Sequence, residues 1–425
     1  MATFNKNSLF TFVGLTLCTG LMTTACQTEN TTPSKPLKLG SLLPVTGDLS
    51  TIDKGVDKAV SLAVDTINAC GGVNEQPVTL IQEDSQTNPN AAAAAMSKLV
   101  TVEKVAGVVG ASASSVSSLT VDIAVDNQVM QISGGSSSTA FTERAQAGEF
   151  KGYWARTFPS ATYQAQVLAK LAIEQGFQRI STIAIDNSYG IALEQEFVKS
   201  FKQLGGTVIN EDNPVRYDPN PNSLDAQVAQ AYANNPDAVL GILYGETGTF
   251  LLRSAHEQGY SEGVTPLLTD GVYSQEFVNN LGKTENGKSI IEGALGTVPG
   301  ASGEGLDSFT QTWQQEIGAE MTIPVPYTWD ATVLMMLAAE LANENTGTAI
   351  KDNLRSISNS PGTEVSDPCE AMALIRQGEE INYQGASGDL ELDEYGDTIS
   401  SYDVWTVDSL GEIEVIDQVT PTVGN

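Results

Sequence analysis

The stretch GKTENGKS, Gly282 to Ser289, satisfies GxxxxGK[ST], the pattern of loops whose backbone and lysine cradle phosphates. That chemistry needs a strand before the loop and a helix after it, so that backbone N–H groups converge on the anion. Here QEFVNNLG precedes with helical spacing and SIIEGALGTV follows with strand character, so a solvated loop is expected. His256, in LLRSAHEQG, is the only histidine, and a histidine-activated nucleophile or a His-rich metal site has no other to use. Its place near a helix end, just before Gly259, suits a surface position or a C-terminal cap. LDEYGD, Leu392 to Asp397, bunches three carboxylates but lacks the regularly spaced ligands of a calcium loop, and a hairpin turn is expected instead. No GxSxG elbow or SxxK occurs where a strand meets a helix. Catalysis by a secreted hydrolase that uses acidic residues is therefore the weaker alternative, and no metal or cofactor is expected.

Binding chemistry is better represented. ISGGSSSTAF, Ile132 to Phe141, follows an apolar run with small residues and no charge. Small residues let backbone amides approach an anion, and a helix start favours negative charge without a counter-cation. A plain strand-to-helix loop is the alternative. Tyr189 in IDNSYG and Tyr244 in GILYGETG come directly after apolar strands, at the edge where open α/β sheets bind ligands. For both, ligand contact and packing stay open.

Lys and Arg total 21 against 52 Asp and Glu, a formal charge of −31 over 425 residues. Such a surface repels nucleic acid and anionic lipid, so no nucleic-acid partner is expected. The N-terminus stands apart. Lys6 precedes an apolar run, Ser8 to Met22, and then TTAC, Thr23 to Cys26, which reads as an export signal. Thr24 and Ala25 before Cys26 resemble a lipoprotein box, with Thr23 where leucine is commoner. Residues 1–25 are thus expected to be a lipoprotein signal peptide, Cys26 its lipidated residue and 26–36 a polar tether. An ordinary signal cut nearby and a buried apolar helix are the alternatives. In the exported body Cys70 and Cys369 form an even pair, expected to be bridged, with two separate buried thiols as the alternative.

The elements that must position these residues alternate from Leu37. Short apolar runs such as VAGVVGA are followed by longer amphipathic ones such as IDKGVDKAVSLAVDTIN, beginning near turn residues such as Asp53 and Asn88-Pro89. GEFKGYWARTFPSATYQ, Gly148 to Gln164, breaks the alternation before a second strand–helix series. EGALGTVPG reads as a crossing strand before three helical stretches, and the tail alternates like antiparallel strands turning at Tyr395-Gly396 and Leu410-Gly411. The fold class expected is α/β: two doubly wound lobes with a ligand cleft between them.

LGSLLPVTGDLS, INACGGVNEQPVTLIQEDSQTNP, VVGASASSVS, VMQISGGSSSTAFTER, YGIALEQEFVKSFKQLGGTVINE and LLTDG, in this order behind an export signal, resemble substrate-binding proteins of ABC transporters of the branched-chain amino acid class, the type I bilobed binding fold. The resemblance spans most of Leu37 to Ile416. It implies a first lobe of residues 37–158 with 298–388 returning to it, and a second of 159–297 with 389–420 returning. It implies a ligand α-carboxylate held at Ser114, Ser115, Gly135 and Ser137 of the first lobe. The ammonium would meet Asp270 in the second, with Glu246 as an alternative partner and Tyr189 and Tyr244 as aromatic cover. It further implies a monomer, anchored to the membrane by lipid, that hands an amino acid to an ABC permease. Urea, short amides and a sensory role remain rivals.

Overall fold

In this computed structural model residues 35–219 and 223–421 are described; the stretch expected to be an export signal, and Cys26, lie outside the described residues. From Lys38 the chain runs β1 (Lys38–Leu43), α1 (Val56–Ala69), β2 (Thr79–Asp84), α2 (Pro89–Lys98), β3 (Gly107–Gly110), α3 (Ser114–Asp126), β4 (Met130–Ser133), α4 (Ala140–Gln146) and β5 (Trp154–Arg156). These five strands make one parallel sheet in the order β2-β1-β3-β4-β5. β3 and β4 are buried at every position, as strands covered on both faces by helices must be. Asn88 caps α2 as its sequence suggests, its side chain accepting from the amides of Asn90 and Ala91 with Pro89 in the first turn. Asp53 does not open α1: the helix begins at Val56 behind Gly55, and no side chain caps it.

The second series is α5 (Ala161–Glu174), β6 (Arg179–Ile185), α6 (Ser188–Gln203), β7 (Thr207–Val208), β8 (Val215–Tyr217), α7 (Asp225–Ala231), β9 (Ala238–Ile242), α8 (Gly245–Glu257), β10 (Thr265–Leu268), α9 (Gln275–Leu281) and β11 (Leu295–Pro299). Then come α10 (Glu304–Glu316), α11 (Pro324–Ala342), α12 (Gly347–Ser358), β12 (Thr363–Val365), α13 (Pro368–Gln377), β13 (Ile381–Gly385), β14 (Gly388–Asp389), β15 (Tyr402–Val407) and β16 (Ile413–Val419). The second sheet has the order β16-β15-β11-β10-β9-β6-β7, with β8 also on β6. β6, β9, β10 and β11 are parallel, while β15 and β16 add an antiparallel edge through the turn at Leu410-Gly411.

Each of these two sheets heads one lobe of a two-lobed α/β fold, with β12, β13 and β14 in a third, small sheet, and the chain passes between the two large sheets after β5, after β11 and before β15. α11 returns to the first sheet and is buried from Pro324 to Glu340, which explains why its sequence is apolar on every face rather than along one stripe. The bridge Cys70–Cys369 ties the end of α1 to the start of α13, with Cα atoms 5.5 Å apart, inside the range a disulfide spans. β5 was not foreseen. WAR reads as part of a break because it is three residues long and ends in arginine, and only the buried partners of Arg156 explain its place in the sheet.

Candidate functional site

Both sheets end their parallel strands on the same cleft. In the first, the loops after β1, β3 and β4 reach it; in the second, those after β6, β9 and β10 do, on either side of the point where strand order reverses. There they enclose a small cavity of about 40 Å³, room for a few waters, so a larger ligand enters only as the lobes part. Ser114, Gly135, Tyr189, Tyr244 and Asp270 all line it, so five residues dispersed over more than a hundred positions of sequence converge on one space. Ser115, Ser137 and Glu246 do not line it. Ser115 and Glu246 face a wider groove outside, and Ser137 is buried with its hydroxyl unpartnered among the described residues.

The first-lobe wall is built around the start of α3. Among the described residues no side chain caps this helix, so the amides of Ser114 and Ser115 are available to an anion, with the helix dipole behind them, while that of Val116 already donates to the Ala113 carbonyl. Ser114 Oγ accepts from the amide of Ser138 at 3.2 Å, which leaves its own hydroxyl hydrogen free to donate. The loop ISGGSSS contributes differently from its sequence reading. The amides of Gly135 and Ser136 are turned inward onto Ser133 Oγ, at 3.2 and 2.9 Å. Gly135 is needed for close approach: a Cβ there would stand 2.9 Å from Ser112 Cα, so glycine lets the loops after β3 and β4 touch.

This loop is held from behind by Arg156, which is wholly buried. Its Nε donates to Asp397 at 2.7 Å, its Nη1 to the carbonyls of Ser136 at 3.2 Å and Ser138 at 2.9 Å, and its Nη2 to Thr142 Oγ1 at 2.9 Å. The guanidinium's fixed fork matches several acceptors at once, as a lysine could not. The group of carboxylates in LDEYGD is thus divided: Asp393 accepts from the amides of Tyr395 and Asp397 to form a turn, which is not the expected hairpin because β14 and β15 on either side do not pair, and Asp397 serves Arg156.

On the second-lobe wall, Tyr189 and Tyr244 stack with ring centroids 5.4 Å apart at 13°. Tyr189 Oη lies 2.8 Å from Thr269 Oγ1 and donates to Asp270 Oδ1 at 3.1 Å, so one tyrosine both covers the cavity and orients its acid. Burial pushes the Asp270 carboxyl above its ordinary range, opposed by hydrogen bonds from Gln164 and Tyr189. Burial likewise holds both tyrosines neutral, so each keeps its phenolic proton.

Two lining residues with polar side chains escaped the sequence reading. Ser112 sits two positions before Ser114 in the same GASASS motif, and its hydroxyl bonds Asp53. Asp53 is only 5% exposed, and its carboxyl is pushed up to about 7, by burial first and then by the charge of Asp270, against the Ser112 hydrogen bond. The signal that could have found it is an acid in the loop after β1, where the ligand edge of the sheet must lie.

The lobes also meet at the rim. Asp48 Oδ1, in the loop after β1, accepts from the amide of Glu246 at 3.1 Å. α8 has no side-chain cap of its own, so an acid of the opposite lobe supplies one. Loss of a cap costs about 1 kcal/mol, and here the loss falls on the closed arrangement alone. Asp48→Ala is expected to weaken ligand binding about fivefold by calorimetry; unchanged affinity would show that this contact does not contribute to closure.

Other motifs lie away from the cavity. Gly282 to Ser289 connects α9 to β11, with Lys288 paired to Glu292 at 2.9 Å, and no helix follows it as a phosphate loop requires. His256 is in the last turn of α8. Among the described residues there is no group of three or more His, Cys, Asp or Glu arranged to hold a metal ion, and no helix is long and apolar enough to cross a membrane.

A family model described as "Receptor family ligand binding region" matches residues 55–409. Chemotactic signal transduction system substrate-binding protein BasB of Halobacterium salinarum is 29% identical over 383 residues, which cover 87% of this chain and 86% of that protein. Among solved structures, a leucine binding protein LivK from Thermotoga maritima superimposes with a TM-score of 0.75 at 23% identity, covering 91% of this chain and 99% of its own. A solute binding protein of an ABC transporter from R. palustris, in complex with benzoate, does so with a TM-score of 0.72 at 15% identity, covering 92% and 98%.

Proposed function

Because this chain belongs to the receptor ligand-binding-region family, we propose that it captures an amino acid between its two lobes outside the cytoplasm and delivers it to an ABC permease. The family makes it a binding protein and not an enzyme. The observation that carries the ligand assignment is the pairing across one cavity of the uncapped α3 start on one side and Asp270 on the other. That polarity matches a zwitterion: carboxylate toward amides and the Ser114 hydroxyl, ammonium toward the acid and Tyr189. Closure is then driven by the ligand, whose two ends favour the form in which both walls are within reach. A benzoate-like acid would suit the helix end but would leave a buried carboxylate opposite it unmatched. On this reading Cys26 carries the lipid that keeps the receptor at the membrane.

BasB's part in chemotactic signalling favours a second reading in which the closed form is presented to a signal transducer. Thermal-shift screening of the purified protein against the common amino acids tests the first step common to both, since a ligand that binds only the native state raises its melting temperature. No shift with any of them would sink the amino-acid assignment. Recovery of a permease or a transducer with the ligand-loaded, cross-linked receptor separates transport from sensing.

A further inference from the structure

Asp270 is not the only acid in the cavity. Asp53 enters the same space from the other lobe, nine-tenths or more buried, and its Oδ2 has no hydrogen-bond partner among the described residues. No lining residue is lysine, arginine or histidine. Arg156, behind the loop after β4, is turned to Asp397 and to backbone carbonyls and does not compensate either acid.

We propose that the cavity takes a ligand with two cationic nitrogens, a basic amino acid or an α,ω-diamine, held between Asp53 of the first lobe and Asp270 of the second; the amino-acid form rests on the function proposed above. A neutral amino acid with its carboxylate at the α3 start and its ammonium at Asp270 leaves Asp53 facing no donor but Ser112. An unmet buried acceptor is costly, and a second ammonium satisfies it. Leu49, Ile52, Phe158 and Ile323 supply the apolar wall that the methylenes between two charges need. In the empty cavity Asp53 takes up a proton near neutral pH because burial and the neighbouring acid disfavour its charge, and a cation placed beside it reverses that balance.

L-Lysine and L-norleucine share one carbon chain and differ by the terminal ammonium, and cadaverine keeps two ammoniums without the carboxylate. Calorimetric titration of the purified protein with each is expected to show L-lysine at least tenfold tighter than L-norleucine. The preference is expected to vanish in Asp53→Asn, whose melting curve checks that it folds. Norleucine binding as tightly as lysine in the native protein overturns the proposal while leaving the amino-acid reading intact. A lysine preference that survives Asp53→Asn overturns the assignment to Asp53. Cadaverine binding without lysine supports the dication but removes the amino acid, and binding of none of the three overturns both.

Discussion

Asp270→Asn is expected to weaken binding of the amino acid by about 1.5–3 kcal/mol, roughly ten- to hundredfold, with little change in the fold. The substitution keeps size and planarity, so Tyr189 and Gln164 can still bond the group, and what is lost is the charge facing the ammonium. The acid is already held above its usual range by burial, which means that the empty protein is not stabilised by its charge. The melting temperature of the empty variant should therefore stay level or rise, while the ligand-induced shift shrinks. That divergence separates loss of recognition from loss of folding. Unchanged affinity by calorimetry would mean that the group at this wall is uncharged, and an amide such as urea would replace the amino acid. Mass spectrometry of the recovered ligand then gives a direct check on whether it leaves unaltered, as a receptor requires.

The sequence made the architecture legible because buried parallel strands and amphipathic helices have different periods, and both are strong in this chain. VAGVVGA and MQIS could hardly be anything but covered strands. Tyr189 and Tyr244 were legible for a related reason, since each follows an apolar run at the end of a strand, where such sheets hold ligands, whereas Ser114 and Asp270 came only from the family resemblance. Asp53 sits in an equally informative place, yet an acid just before an amphipathic run has an ordinary explanation as a helix start. Only the three-dimensional path, with Gly55 leading into α1, frees its side chain for the cavity. The role of ISGGSSS was half legible. Its lack of bulk is required, but by the contact between Gly135 and Ser112 rather than by amides aimed at an anion, because Ser133 takes those amides first. Glu246 illustrates a different limit: its side chain is on the rim, and its amide makes the cross-lobe contact. Backbone roles of that kind leave no trace in residue type.

Arg156 shows the largest gap between sequence and structure, and its replacement carries the largest expected effect. Arg156→Met is expected to cost about 3–5 kcal/mol of stability, the loss typical when one partner of a buried pair is removed. Methionine fills much of the volume but donates nothing, so Asp397 is left without its guanidinium and the carbonyls of Ser136 and Ser138 lose their donor. Those carbonyls belong to the loop that carries Gly135 into the cavity wall, so the same change should loosen the wall and weaken binding beyond what the stability loss explains. Denaturant titration would read the first effect as a lower midpoint at constant slope, and calorimetry well below the new midpoint would read the second. Arg156→Lys should recover part of the stability through its charge, but little of the affinity, because one ammonium cannot reach both carbonyls, Thr142 and Asp397 in their present directions. If instead Arg156→Met loses less than about 1 kcal/mol, in the range of an exposed pair, the network behind the loop is slack, and the position of Gly135 must be set by its packing on Ser112 alone.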